Sequence, residues 1–154
     1  SEMCIRDRDR SPTYMQWVDI VETADDTARV YAKSLLITRD VTLRLNWTFS
    51  PNLTFQCFVQ PFFADMKYES YYRLLAPETM DLEAYSYLND SNNPDFILQN
   101  TVGTFVLRWE YQSGSTIFIV YNLNDNKFYS PVDNAWTSEE ANALYFKLNY
   151  WFKK

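Results

Sequence analysis

The sequence predicts an all-β fold, an antiparallel up-and-down meander of about six strands. Three observations carry this. First, Val41, Leu43, Leu45, Trp47 and Phe49 alternate with Thr42, Arg44, Asn46, Thr48 and Ser50, a period of two and not of 3.6. Second, the alternation returns along the chain: in Leu53, Phe55, Cys57 and Val59, in Phe105, Leu107, Trp109 and Tyr111, and in Leu144, Phe146, Leu148, Tyr150 and Phe152. Third, short turn-forming triplets separate neighbouring rows, Ser50-Pro51-Asn52 and Gln112-Ser113-Gly114.

Taken in order, residues 14–21 read as a strand with an aromatic rim, 22–27 as a polar connection and 28–34 as an extended piece of open type. Residues 36–49 read as one long strand, in which Arg39 interrupts the apolar row. Pro51 suits the second position of a type I turn and Asn52 tolerates the left-handed region. That turn pairs Phe49 with Leu53, Trp47 with Phe55 and Leu45 with Cys57. The return strand is 53–63, and Pro61, lacking an N–H, belongs near its end or at a bulge. Residues 64–99 show no clear period and carry Tyr68, Tyr71, Tyr72, Tyr85 and Tyr87. They read as a long loop, with room for a short helix within 76–85. The next hairpin joins 100–111 to 115–121, with Gly114 left-handed. It pairs Tyr111 with Ser115, Trp109 with Ile117, Leu107 with Ile119 and Phe105 with Tyr121. Residues 122–140 read as a second polar loop and 142–152 as the last strand.

Tight turns fall at one end of this meander and long loops, near 64–99 and 123–141, at the other. Short periplasmic turns and longer extracellular loops mark outer-membrane barrels. Strands of about 9–11 residues match a bilayer crossing. Trp17, Trp47, Trp109 and Tyr111 are placed for an aromatic girdle. The expected location is therefore the outer membrane of a Gram-negative bacterium, with membrane lipid as a partner. A soluble β-sandwich or lipocalin-like barrel shares the periodicity and is the alternative. Single-chain bacterial barrels start at eight strands. A six-stranded open sheet would leave backbone groups unpaired in lipid at several kcal/mol each. The reading is thus the C-terminal part of an incomplete transmembrane β-barrel over 11–154, whose missing N-terminal strands are partners of this sheet.

The totals narrow the function classes. Net charge is −6, against nucleic acid, which needs clustered Lys and Arg. No apolar run reaches 18 residues, so no transmembrane helix is encoded, which leaves a barrel open. There is no His, no metal-spaced Cys pattern and no glycine-rich phosphate loop. His-dependent nucleophile–base pairs are therefore excluded, and no cofactor or catalytic residue is expected. Asp81 with Glu83, or Asp125 with Asp133, have no spacing that distinguishes them from a solvated loop face. Cys57, in an apolar row, reads as a small buried hydrophobe. The polar row is the candidate site: Arg44, Gln56, Gln60, Arg108, Glu110, Lys147 and Asn149 would point into the lumen. They would either tune pore selectivity or fill the interior as a charge network, with Arg108 and Glu110 able to join cross-strand ion pairs.

Three resemblances add to this. Leu148, Tyr150 and Phe152 on the last strand resemble the C-terminal signal read by the barrel assembly machinery, although Lys153 and Lys154 follow. Residues 41–53, Gln60-Pro61-Phe62, 106–116, 14–18 and 147–152 together resemble the C-terminal end of a large bacterial outer-membrane family of unknown function. In that family Pro is frequent where Ser113 stands. Its full-length members carry an N-terminal carbohydrate-binding family 9-like domain followed by a barrel. The resemblance implies a transport or export channel, or else a membrane anchor for that domain. A further implication is a carbohydrate-active hydrolase whose chemistry and carbohydrate ligand lie outside this stretch. Finally, residues 1–8, SEMCIRDR, resemble a translated sequencing adapter. Cys4, Arg6 and Arg8 are then without function, and 1–10 is expected to be adapter-derived or disordered.

Overall fold

Alternating rows that pair edge to edge can only build a sheet, and they build one here. The computed structural model describes residues 2–4, 13–22, 27–88 and 92–152. Its strands are β1 (Glu2–Cys4), β2 (Thr13–Glu22), β3 (Thr27–Asp40), β4 (Thr42–Ser50) and β5 (Leu53–Ala76), then β6 (Asp81–Ala84), β7 (Phe96–Gln112), β8 (Ser115–Ser130), β9 (Ala135–Glu140) and β10 (Ala143–Asn149). All pairings are antiparallel. The ten segments run in six lanes: β1 with β2, β3 with β4, β5, β6 with β7, β8, and β9 with β10. The fold is an all-β meander whose sheet is not closed: among the described residues, the outer edges of the first and last lanes carry no strand.

The two broken lanes are each one strand with a local interruption. Register is unchanged from Asp40↔Phe62 to Leu43↔Val59. Val41 N–H still donates to the Pro61 carbonyl at 3.1 Å, but Pro61 has no N–H to return. The ladder therefore lapses for one residue between β3 and β4, and the single strand expected over 36–49 is real in register. Register is likewise unchanged from Asp125↔Glu140 to Asn122↔Ala143. There Ala141 N–H donates to the Asn124 carbonyl at 2.8 Å, and the Asn142 side-chain oxygen accepts from Asn124 N–H at 3.3 Å in place of a backbone carbonyl.

Much of the two expected loops is strand. β5 runs on to Ala76, β8 runs to Ser130, and β9 returns from Ala135. The polar composition of these stretches reflects solvated strand faces. No helix forms within 76–85: residues 77–80 turn, with Met80 at φ 54°, and β6 pairs back on β5. Residues 28–34 belong to β3. Glu2–Cys4 lie along the free edge of β4, opposite Thr42–Arg44, as unpaired edge groups invite.

Both hairpins hold the expected register until their last pair. Trp47↔Phe55 and Leu45↔Cys57 form, but Ser50, not Phe49, faces Leu53. Trp109↔Ile117, Leu107↔Ile119 and Phe105↔Tyr121 form, but Gln112, not Tyr111, faces Ser115. In each case the aromatic is the extra residue of a bulge beside the turn. Gly114 takes φ 79° as expected; Asn52 is not among the residues of positive φ, so the first turn needs no left-handed residue.

The registers sort the side chains into two faces. One carries cross-strand rows Leu45–Cys57–Phe105–Tyr121–Leu144 and Trp47–Phe55–Leu107–Ile119–Phe146, flanked by Leu53–Trp109–Ile117–Leu148 and Leu43–Val59–Gly103–Leu123. We call it the apolar face. It is largely exposed: Trp47 is 56%, Phe146 66% and Leu144 71% accessible. Cys57 sits half-buried within it rather than in a core. Towards the loop end the same face turns polar, with Arg39, Gln99, Lys127 and Ser138 beside Phe63. Arg39 interrupts the apolar alternation because its cross-strand row is polar; one row further, Ile37, Ile97, Tyr129 and Trp136 return the face to apolar around Asp65. The buried core is on the opposite face, at the loop end: Val30, Ala32, Tyr71 and Tyr87, with Val18, Val21, Tyr68 and Tyr85 against them.

Candidate functional site: the polar face

Strand parity places all seven polar residues singled out above on the face opposite the apolar rows. Arg44↔Phe58↔Thr104↔Asn122, Asn46↔Gln56↔Val106↔Val120 and Thr54↔Arg108↔Phe118↔Lys147 are successive rows. Gln60↔Val102↔Asn124 lies above them, and Glu110↔Thr116↔Asn149 below. Arg44, Asn46, Gln56, Phe58, Thr104 and Val106 surround a concavity of about 380 Å³. The Arg44 guanidinium lies 5.3 Å from the Phe58 ring centroid, a cation–π arrangement. Arg108 reaches Glu110 at 3.2 Å along its own strand rather than across strands. The other Glu110 oxygen accepts from Gly114 N–H at 3.2 Å. Glu110 thus ties the turn to the polar face. Phe58, Val106, Phe118 and Val120 make this face more apolar than its polar row alone suggests.

The girdle residues divide between the two ends. Trp47 stacks on Phe49 at 5.0 Å and Trp109 meets Tyr111 edge-on at 6.2 Å, both at the turn end. Trp17 lies at the loop end, opposite Tyr31. Trp136 of β9, within a stretch expected as a loop, adds an aromatic there, its ring 5.3 Å from that of Tyr129. β10 stops at Asn149, so of the three residues expected to form a C-terminal signal only Leu148 is in the strand. Tyr150 and Phe152 follow it and stay together, rings 4.6 Å apart and edge to face.

The loop end of the polar face holds a cluster that the sequence did not single out. Val30 and Ala32 are buried there, and Tyr71 and Tyr87 pack on them, ring centroids 5.1 Å apart. Two bulges flank β3 at this height. One, at Val18 between Trp17 and Asp19, turns Asp19 onto the polar face; the other, in β5 between Tyr68 and Tyr71, puts both tyrosines on that face. Tyr87 Oη donates to Asp19 Oδ2 at 2.8 Å. Tyr68 N–H donates to Asp95 Oδ1 at 2.7 Å, and Asn92 Nδ2 to the Tyr87 carbonyl at 2.6 Å. Burial pushes the Tyr71 hydroxyl far above its ordinary range, with Asp95 the next cause. Burial and then the hydrogen bond to Asp19 push Tyr87 up to about 12. Burial and then Asp95 raise Tyr68 as well. The tyrosines were legible as a cluster in sequence, but the β5 bulge breaks the alternation that would have given them a face.

Among the described residues no group of His, Cys, Asp and Glu is arranged to hold a metal ion. The face offers a wall: hydrogen-bonding groups, a few cations and a closed aromatic end. Compared with known proteins, the chain matches no family model, no curated protein and no solved structure.

Proposed function

We propose that this chain is a wall segment of a bacterial outer-membrane β-barrel, with the apolar face in lipid and the polar face on a water-containing interior. The observation that carries the reading is the exposed row Trp47–Phe55–Leu107–Ile119–Phe146, continuous over five lanes, with its neighbours above and below. From Leu43 to Phe49 is six residues along β4 and from Gly103 to Tyr111 eight along β7, roughly 20–27 Å of strand at ~3.4 Å each. At a tilt of ~40° that is roughly 16–21 Å of height, the greater part of the ~25 Å apolar band of such barrels. Aromatic residues bound the band at the turn end, and Arg39, Lys127 and Asp125 lie beyond it at the loop end. The open edges suit a sheet completed by further strands, which lipid would demand. The resemblance of 41–53 and 106–116 to a family of outer-membrane barrels points the same way.

Of the functions open to such a barrel, we take passage of a solute as the primary reading, because the polar face presents Arg44, Asn46, Gln56 and Thr104 around an open concavity. Anchoring without passage is the second reading, favoured by the tyrosine-filled loop end. The test of the membrane reading is insertion. Denatured chain diluted into phospholipid vesicles is expected to float with them, and lipids brominated along the acyl chain are expected to quench Trp47 and Trp109. A chain that stays monomeric in buffer without detergent, its tryptophans untouched by brominated lipid, overturns it.

A further inference from the structure

We propose that residues 85–88 and 92–95 form an internal stopper, latched to the wall by Tyr87 and Asp19, that closes the loop end of the barrel interior. The inference rests on the barrel reading and says which state of the interior the chain favours.

The stopper lies on the interior side. Val30 and Ala32 share the polar face of β3 with Ser34 and Ala28, and it is over them that Tyr87 packs. Its seat is built for it. Small side chains line this end of the face, whereas Arg44, Phe58, Arg108 and Phe118 line the rest. The two bulges on either side of β3 bring Asp19 from one lane and Tyr68 and Tyr71 from another to the same spot. Tyr85 N–H donates to the Tyr71 carbonyl at 2.9 Å, fixing where the segment leaves the sheet, and Asp95 takes the Tyr68 N–H where it rejoins.

The attachment is also of a releasable kind. An apolar plug would be held by area alone. Here the innermost residue ends in a hydroxyl directed at a carboxylate on a different lane, so one hydrogen bond joins segment and wall at their deepest point. A charge-assisted hydrogen bond of this type shifts an open–closed equilibrium by roughly ten- to a hundredfold when it is removed. Tyr87→Phe removes only the hydroxyl, so the bond to Asp19 is lost while the closed state keeps the ring's packing and has no cavity.

The experiment is single-channel recording of the full-length protein in planar bilayers, comparing wild type with Tyr87→Phe and Asp19→Ala, each of which removes one partner of the bond. Each variant should raise the ratio of open to closed time about ten- to a hundredfold, and the double variant should add little, because both remove one bond. Thermal unfolding in detergent, measured alongside, should change little for Tyr87→Phe. Equal open times in wild type and both variants overturn the stopper while leaving a conducting barrel. Silence in all of them overturns the stopper together with the reading of a solute path. Opening that appears only where the unfolding temperature collapses assigns the effect to damage and also overturns the latch.

Discussion

Gly114→Ala isolates what the second hairpin requires of its turn. Gly114 holds φ 79°, a conformation that costs an L-residue about 1–2 kcal/mol. A Cβ there would also meet Trp151 Cβ at 3.1 Å and Cγ at 3.2 Å. Rotation of the exposed Trp151 side chain moves Cγ but not Cβ, and its N–H is held by the buried Ser115 hydroxyl at 3.0 Å, so relief takes a rotation together with a small backbone shift, about 0.5–1.5 kcal/mol. The expected loss is about 1.5–3.5 kcal/mol in urea unfolding of the chain folded in detergent micelles, followed by tryptophan fluorescence. Gly114→Asn separates the two causes. Asn tolerates the left-handed region but presents the same Cβ, so it should lose only the contact part, about 0.5–1.5 kcal/mol. An alanine variant within about 0.5 kcal/mol of wild type refutes the reasoning, as does an asparagine variant that loses as much as alanine.

Three further outcomes follow from the same geometry. Leu107→Arg, in the middle of the apolar face, should lower stability in vesicles by about 2–4 kcal/mol, whereas Arg108→Leu, one residue on and facing the other way, should still insert; equal effects would dissolve the distinction between faces. Ala32→Leu should cost about 1–3 kcal/mol by overfilling the seat of Tyr71 and Tyr87, against under about 1.5 kcal/mol for Leu45→Met; a neutral Ala32→Leu would mean the seat is loose. Tyr87, with its pKa up at about 12 against an ordinary 10.0, holds its proton more tightly when folded. Its contribution to stability is complete below pH 10 and is lost as pH rises towards 12. A tyrosinate absorbance titration should show a component near pH 12 that Tyr87→Phe removes; an identical titration in the variant would count against the buried contact.

What could be read from the sequence was what period two determines. Strand parity, the partners Trp47–Phe55 and Trp109–Ile117, and the common face of Arg44, Gln56, Arg108 and Lys147 all follow from alternation and turn length. What could not be read was wherever the period slips. The bulge between Tyr68 and Tyr71 removes the alternation from the very stretch that holds the core, so 64–99 looked like a loop. The Val18 bulge likewise hides that Asp19 turns onto the polar face. Phe49 and Tyr111 were placed one pair wrong for the same reason, since a bulge adds a residue that no spacing rule announces. Strand length beyond the apolar rows was missed on different grounds. Residues of β8 and β9 such as Asn124, Asn126, Thr137 and Glu139 are polar on both sides, and composition alone does not distinguish a solvated ribbon from a loop.

The placement of the core favours the membrane barrel proposed above over the soluble barrel that shares this periodicity. A sandwich or lipocalin-like barrel puts its apolar rows inside, since burying a large apolar side chain is worth about 1.5–3 kcal/mol. The row Trp47–Phe55–Leu107–Ile119–Phe146 alone then represents on the order of 10 kcal/mol, comparable with the whole net stability of a domain. Here those rows are the open side of the sheet, and the small buried core, Val30, Ala32, Tyr71 and Tyr87, lies on the other face. An inverted distribution of this kind is unfavourable in water and favourable where the outer solvent is hydrocarbon. On the proposed reading, a wall with lipid on one side would gain little by burying more hydrocarbon on the other, and residues 85–88 and 92–95 are correspondingly held to the sheet by hydrogen bonds as well as by the Tyr87 ring: Tyr87 to Asp19, the Tyr68 N–H to Asp95, and the Tyr85 N–H to the Tyr71 carbonyl.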